Sequence, residues 1–98
     1  MNLGAAIKQL RIEKKFSQVE LAARSGLSQT ALSQIEKGKR PGINTLKKIS
    51  VALDVPESLI YIVGIEKEDI SGEKQDIYER LFPVIKSLVK QLANYPEN

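Results

Sequence analysis

Apolar residues recur at helical intervals through the first 64 residues of the chain. Leu3, Ile7 and Leu10 are spaced as i, i+4 and i+7, which predicts a first helix from Asn2 to about Lys14. Asn2 can cap that helix by accepting a hydrogen bond from a backbone amide of the first turn. The chain therefore opens with an amphipathic helix that has one narrow apolar face.

Two serines mark the starts of the next two helices. Ser17 and Glu20 have the spacing of a capping box, in which each side chain accepts a hydrogen bond from the backbone amide of the other, so a second helix begins one residue after the serine. Gly26 ends that helix, because glycine adopts the left-handed backbone conformation without strain. Ser28 is placed, like Ser17, to cap the N-terminus of a helix, and this third helix is predicted over 29–37. These signals predict two short helices joined by a glycine turn.

A basic turn, G-K-R-P-G, separates the third helix from two further helices. The fourth helix has an apolar face that is predicted to point inward and consists of Ile43, Leu46, Ile49 and Leu53. The fifth has Pro56 in its first turn and runs to Val63, before Gly64. The apolar residues from 51 onward are predicted to form the floor of the core rather than a binding surface: Val51, Leu53, Val55, Leu59, Ile60, Ile62 and Val63. A short edge strand over 61–65 is the alternative.

The residues after 64 form a second segment, 65–98, with a different character. Residues 66–79 carry six acidic and two basic side chains and are expected to face away from any polyanion, and Ser71 and Gly72 mark a linker or a cap. Apolar residues then return as two neighbouring stripes with alternating spacings of four and three residues. The first stripe comprises Tyr78, Phe82, Ile85, Val89 and Leu92, and the second comprises Ile77, Leu81, Val84 and Leu88.

This terminal region is predicted to hold two copies of the chain together. A helix that packs only on its own small domain needs one apolar stripe, so two stripes indicate contact with a second copy. We assign dimerisation to the first of these stripes. Pro83 deletes an intrahelical hydrogen bond, which predicts a kink in this helix; two separate helices are the alternative. A clasp onto the chain's own domain is the alternative to dimerisation.

The composition removes most enzyme classes. The chain has 98 residues, of which 42% are apolar, and it lacks Cys and His. It therefore has no disulfide, no thiol nucleophile, no zinc site built from Cys or His and no serine–histidine catalytic pair. We expect one small domain with an appendage, not an enzyme, and no cofactor or metal. The longest apolar run, 59–63, is too short to span a membrane, so a cytoplasmic protein is expected.

The charges are distributed unevenly between the two halves. Residues 1–42 carry eight basic and three acidic side chains, a net charge of +5, whereas residues 43–98 carry seven basic and nine acidic ones, a net charge of −2. A basic half suggests a polyanionic partner such as nucleic acid. A solvated surface is the alternative, and charge alone does not separate the two.

The outer face of the third helix combines uncharged hydrogen-bonding groups with one cation. Leu32 and Ile35 define its inner side. A continuous polar strip remains outside and consists of Gln29, Thr30, Ser33, Gln34 and Lys37. Amides and hydroxyls match the donors and acceptors of base edges in the major groove, where glutamine pairs bidentately with adenine. An ordinary solvated face usually carries glutamate and lysine pairs, so a strip without acidic residues favours contact with DNA.

The string S-Q-V-E-L-A-A-R-S-G-L-S-Q-T-A-L-S-Q-I-E-K-G, over 17–38, resembles the helix-turn-helix of the lambda-repressor and Cro-like (XRE-type) DNA-binding family. The positions that match the family pattern are Gln18, Ala22, Gly26, Leu32, Ile35 and Glu36, and the likeness extends over 3–63. It implies an all-α fold, with a five-helix lambda-repressor-like DNA-binding domain over 1–64 and a C-terminal, Pro-kinked helical dimerisation segment over 65–98. It also implies a bacterial or phage-encoded protein.

The resemblance implies roles for individual side chains. Those expected to read base edges are Gln29, Thr30, Ser33 and Gln34. Those expected to bind DNA phosphates are Gln18, Lys37, Lys39, Arg40 and Asn44, and Gln18 is also expected to brace Gln29. Independently of the resemblance, free amides and the helix dipole at the start of the fourth helix favour phosphate beside the basic turn. Arg11 and Glu36 match a structural salt bridge between the first helix and the end of the third.

These observations together predict a sequence-specific regulator of transcription, a repressor that binds an inverted repeat of double-stranded DNA as a homodimer. One recognition helix covers too few base pairs for useful selectivity, whereas a two-fold dimer reads two half-sites about 34 Å apart. The alternative is an antitoxin or adaptor whose C-terminal segment binds a protein partner and whose DNA binding serves autoregulation.

Overall fold

Six α-helices make up the computed structural model of the chain, which describes residues 1–94. They are α1 (Leu3–Glu13), α2 (Gln18–Ser25), α3 (Gln29–Glu36), α4 (Ile43–Leu53), α5 (Glu57–Gly64) and α6 (Gln75–Ala93). Two single-turn 3-10 helices, Lys67–Asp69 and Gly72–Lys74, connect α5 to α6. The predicted all-α class is confirmed, and the alternative strand over 61–65 is wrong, because α5 continues to Gly64. Residues 95–98, the end of the predicted second segment, lie outside the described residues.

Local capping explains where the first two helices begin and end. The Asn2 side chain accepts a hydrogen bond from the Ala5 amide at 2.9 Å. The Ser17 hydroxyl accepts from the Glu20 amide at 3.0 Å, and the Glu20 carboxylate accepts from the Ser17 amide at 3.2 Å. Gly26 ends α2 with φ at +68°, in the left-handed region. Each signal lies within a few residues of sequence, and for that reason the sequence predicts these boundaries closely.

The backbone of α1 packs directly against the end of α3. An ideal Cβ built on Gly4 would lie 2.0 Å from the carbonyl oxygen of Ile35 and 3.4 Å from the Cα of Glu36. Any larger residue at this position would therefore push the two helices apart. The hydrophobic pattern does not predict this contact, because a glycine contributes no side chain to the pattern.

The first five helices enclose one aliphatic core. Its large side chains with the least exposure are Ile7, Leu10, Leu21, Leu32, Ile49, Leu53 and Ile60. Two predictions about α4 are wrong, since Ile43 is 78% exposed and Val51 is 80% exposed. Ile43 is the first residue of α4. Its side chain tilts toward the N-terminal end of the helix, away from the turns that pack on the core. Val51 lies on the side of the helix opposite Ile49 and Leu53, as the 3.6-residue period requires.

α6 lies against α1 and α5 and covers part of the core with one of its two apolar stripes. Phe82 is 9% exposed and Val89 is 7% exposed, and the Tyr78 hydroxyl donates to the Ile65 carbonyl oxygen at 3.2 Å. The assignment of this stripe to dimerisation is therefore wrong for Phe82 and Val89, because contacts within their own chain cover more than nine tenths of each residue. Ile85 and Leu92, from the same prediction, remain exposed.

The other stripe of α6 faces outward. Its residues are each about half exposed and comprise Ile77, Leu81, Val84 and Leu88. Pro83 lies within this single helix, so the alternative of two separate helices is wrong. Across residues 1–94, none of the helices is both long and apolar enough to cross a membrane.

The acidic segment between α5 and α6 is tied to the start of the chain. The Met1 ammonium group lies 3.0 Å from a carboxylate oxygen of Glu66 and 2.7 Å from the Asp69 carboxylate. Two hydrogen bonds lower the pKa of the Asp69 carboxyl. The larger effect comes from the bond with this ammonium, and the smaller one from the bond with the Glu66 backbone amide. Hydrogen bonds to Asp69 and Glu66 raise the pKa of the Met1 amino group. The Asn2 amide also donates to the Gly64 carbonyl oxygen at 2.8 Å, which fixes the chain start to the end of α5.

Candidate nucleic-acid interface

α3 presents its polar strip on the surface of the molecule. The exposed members are Gln29, Thr30, Gln34 and Lys37, and Ser33 is half-buried. These five side chains and Gln18 from α2 line one shallow groove. Leu32 and Ile35 anchor the opposite side of α3 in the core. The structure therefore brings together all four residues predicted to read bases and two of those predicted to bind phosphate.

An ion pair between Arg11 and Glu36, as predicted, fixes the C-terminal end of α3. Arg11 Nε donates to Glu36 Oε2 at 2.8 Å, and its Nη2 donates to Glu36 Oε1 at 3.0 Å. Arg11 Nη1 donates to the carbonyl oxygen of Phe16 at 2.9 Å. The Arg11 and Glu36 side chains are 12% and 3% exposed. The pair therefore joins α1, the loop before α2 and α3 where little water reaches, and each buried charge depends on the other.

Gln18 contacts this ion pair as well as the groove. Its Nε2 donates to Glu36 Oε1 at 3.2 Å. The sequence predicts phosphate binding and a contact with Gln29 for this side chain, but it gives no sign of the bond to Glu36. Within the described residues, no hydrogen bond joins Gln18 to Gln29.

The remaining predicted phosphate ligands lie around the turn between α3 and α4. Lys39 and Arg40 are exposed, and Asn44 is exposed in the first turn of α4. Gly42 precedes α4 and provides no side-chain cap, so the first amides of α4 and the positive end of its dipole stay open to an anion. A shallow groove beside the turn includes Gln34, Lys39, Arg40 and Thr45 in its lining. The sequence does not single out Thr45 as part of this groove, because nothing in its spacing distinguishes it from a solvated residue.

The acidic segment lies closer to the basic turn than expected. Glu66 lines a cleft together with Lys39 and Arg40. This placement contradicts the expectation that the whole acidic stretch faces away from the DNA-binding side. The Glu66 carboxylate is engaged by the Met1 ammonium, which partly offsets its repulsion of a phosphate at the turn.

A model of the Helix-turn-helix family (HTH_3) matches residues 7–60 of the chain. The matched region runs from within α1 to within α5, with the groove-bearing α2 and α3 inside it. The chain belongs to this family. The predicted resemblance is thereby confirmed for more than half of the sequence. α6 lies outside the matched region, so family membership does not account for its exposed stripe.

Several relatives of the chain are named as repressors or regulators. The chain is 34% identical over 96 residues to the Immunity repressor protein of Bacillus phage phi105, a match that covers 92% of this chain and 67% of the relative. It is 40% identical over 70 residues to the HTH-type transcriptional repressor RghR of Bacillus subtilis (strain 168), covering 68% of this chain and 52% of the relative. It is 44% identical over 55 residues to the HTH-type transcriptional regulator SinR of the same organism, a match that covers 54% of this chain and 50% of the relative. The chain thus spans half to two thirds of the length of each of these relatives. No solved structure matches it significantly.

Proposed function

We propose that the chain is a DNA-binding regulator of transcription, specifically a repressor that binds an inverted repeat as a homodimer. The observation that carries this proposal is the exposed polar strip of α3, which presents amide and hydroxyl groups beside a basic turn. Base edges in the major groove offer matching donors and acceptors. Family membership supports DNA binding, and two of the relatives described above are named repressors.

The side chains around α3 have separate tasks in this proposal. Those that read base edges are Gln29, Thr30, Ser33 and Gln34. Those that bind phosphates are Gln18, Lys37, Lys39, Arg40 and Asn44, and these set the register on the duplex and the salt dependence of binding. Repression follows where the bound site overlaps a promoter, because the protein then occludes it.

We infer that two copies associate through the outward stripe of α6, so that residues 1–64 bind DNA and 65–98 provide the dimer contact. The stripe comprises Ile77, Leu81, Val84 and Leu88, bordered by Ile85 and Leu92. Its spacings of four, three and four residues are those of a helix–helix seam. Six side chains of this exposure present several hundred Å² of apolar surface, at the upper end of the roughly 300–600 Å² found for the largest patch on a monomer. Pro83 lies on another face of the helix and does not interrupt the seam.

Selection of bound duplexes from a random pool tests the DNA-binding proposal directly. We expect recovery of an inverted repeat whose half-sites lie one helical turn, or a multiple of it, apart. Recovered sequences without two-fold symmetry would contradict the homodimer. A protein that shows no preference among duplexes at moderate ionic strength would contradict sequence-specific binding.

Two kinds of substitution separate base reading from phosphate binding. Gln29→Ala and Gln34→Ala are each expected to cost about 1–3 kcal/mol on the selected duplex and little on random DNA, because a base contact is lost. Arg40→Ala is expected to weaken binding to both duplexes and to lower the salt slope by about one. Equal losses on both duplexes for the glutamine variants would show that these side chains do not read bases.

The exposed stripe of α6 also supports a second candidate function, an antitoxin or adaptor that binds a different protein through this segment. In that case the partner, and not a second copy, covers the stripe. A stoichiometric second protein that copurifies with the chain and is lost in Leu81→Glu would favour this function. A purified chain that dimerises alone would favour the homodimer.

A further inference from the structure

Gln18 stands where the buried ion pair meets the polar groove. It is the first residue of α2, and it lines the groove with the polar strip of α3. Its Nε2 donates to Glu36 Oε1 at 3.2 Å, and the same oxygen accepts from Arg11 Nη2 at 3.0 Å. One carboxylate oxygen therefore links the buried ion pair to a side chain of the proposed DNA interface.

The chemistry of Glu36 determines which way the Gln18 amide points. A carboxylate paired with arginine offers only acceptors, whereas a glutamine amide has a donor branch and an acceptor branch. The donor branch must face Glu36, so the carbonyl branch points away from the carboxylate. Nε2 uses one of its two N–H groups in this contact. The other N–H and the carbonyl oxygen remain available to a ligand in the groove.

We propose that Glu36 is a positioning residue of the DNA interface, which holds the Gln18 amide in one orientation for contact with DNA. The Glu36 side chain is only 3% exposed, so it acts through Gln18 and not by touching DNA itself. An unrestrained glutamine loses rotational freedom when it binds, whereas a held one has already lost it. The inference rests on the proposed DNA-binding function and gives the ion pair a second task beside joining α1 to α3.

A double-mutant cycle tests this inference with the duplex that the wild-type protein selects. The effect of Gln18→Ala on affinity is measured in the wild type, in Glu36→Met and in Arg11→Met, at low temperature and relative to the folded fraction. Arg11→Met is the matched control, because it breaks the same ion pair but keeps the carboxylate that holds Gln18. We expect Gln18→Ala to weaken binding about three- to tenfold in the wild type and in Arg11→Met, as for the loss of one hydrogen bond. In Glu36→Met we expect a loss below about twofold, because no side-chain oxygen at this position holds the amide there.

Each result separates this inference from the proposed function. An equal loss in all three backgrounds overturns the inference, since Gln18 then acts independently of Glu36. A wild-type protein that selects no duplex contradicts the proposed function instead. Should a background fail to fold, proton exchange of the Gln18 side-chain amide in the wild type decides. One slowly exchanging proton is expected from a held amide, and two rapidly exchanging protons overturn the inference.

Discussion

Replacing Gly4 by alanine is expected to destabilise the protein, because the added methyl group meets the backbone of α3. The new Cβ would lie 2.0 Å from the Ile35 carbonyl oxygen and 3.0 Å from its carbonyl carbon. Backbone atoms inside a helix cannot rotate away as the end of a flexible side chain can. Since Cβ contacts below 3.0 Å essentially do not occur, α1 and α3 must separate by about 1 Å to accept the change.

Two opposing effects set the size of this destabilisation. Alanine favours the helix over glycine by about 1 kcal/mol. Overpacking a core typically costs about 1–3 kcal/mol and occasionally more, and a clash with rigid backbone belongs at the upper end of that range. The net loss in the free energy of unfolding is therefore about 2 kcal/mol, which lowers Tm by roughly 8–16 °C for a domain of this size.

Urea unfolding followed by far-ultraviolet circular dichroism measures this loss. Wild type and variants are compared at the same protein concentration, because association would stabilise the folded state. Gly72→Ala is the matched control, since a Cβ added there meets nothing within 4 Å. The same chemical change is expected to be neutral there or to stabilise by up to about 1 kcal/mol. A Gly4→Ala protein as stable as the wild type would refute the close contact between α1 and α3.

Three further substitutions test other parts of the structure. Arg11→Met is expected to cost about 3–5 kcal/mol of stability by stranding its buried partner; unchanged melting with altered base preference would show that the pair is not structural. Leu81→Glu is expected to give monomers in micromolar sedimentation experiments, whereas Val51→Glu, at an exposed apolar site on α4, should leave a dimer; a monomeric wild type contradicts the seam. Folding lowers the pKa of the Asp69 carboxyl. The carboxylate therefore stabilises the fold at pH values above its unfolded pKa, and this stabilisation is lost as the pH falls through its folded pKa. The Tm difference between wild type and Asp69→Asn should therefore shrink on acidification, and a constant difference would contradict this.

The sequence predicts the first five helices because their signals are local. A capping box such as that of Ser17 and Glu20 spans four residues, and the turn at Gly26 needs only one. The inward faces of α4 and α5 are harder to predict from the sequence, because apolar residues are abundant there. The prediction that Val51 belongs to the core is wrong because its position around the helix places it opposite Ile49 and Leu53. Periodicity is the better guide where the two disagree.

The candidate site could be predicted only in part. The polar strip of α3 follows from the helical period, so its members are found from the sequence alone. The bond between Gln18 and Glu36 joins residues that are 18 positions apart and depends on how α2 crosses α3. The contact at Gly4 likewise depends on the packing of two helices. Neither tertiary contact leaves a signal in the spacing of residue types.

The two stripes of α6 show a different limit of sequence reasoning. Both stripes have the same alternating spacing, so the pattern indicates two apolar faces without saying which one packs inward. That choice depends on the surface that α1 and α5 offer, including the Ile65 carbonyl oxygen that accepts from Tyr78. The inward choice places Phe82 and Val89 in the chain's own fold, so any seam between copies must use the other face.

The two ends of α3 are held by different means, and this difference bears on how base preference relates to stability. At the C-terminal end, the backbone of Ile35 lies against Gly4 and the side chain of Glu36 is paired with Arg11. At the N-terminal end, the Ser28 hydroxyl accepts from the Ala31 amide at 3.0 Å, and the residues between them are exposed. Side chains at the start of α3 can therefore change with little effect on folding, whereas changes at its end affect folding and the groove together. The start of the helix is thus where selectivity for DNA can vary independently of the scaffold.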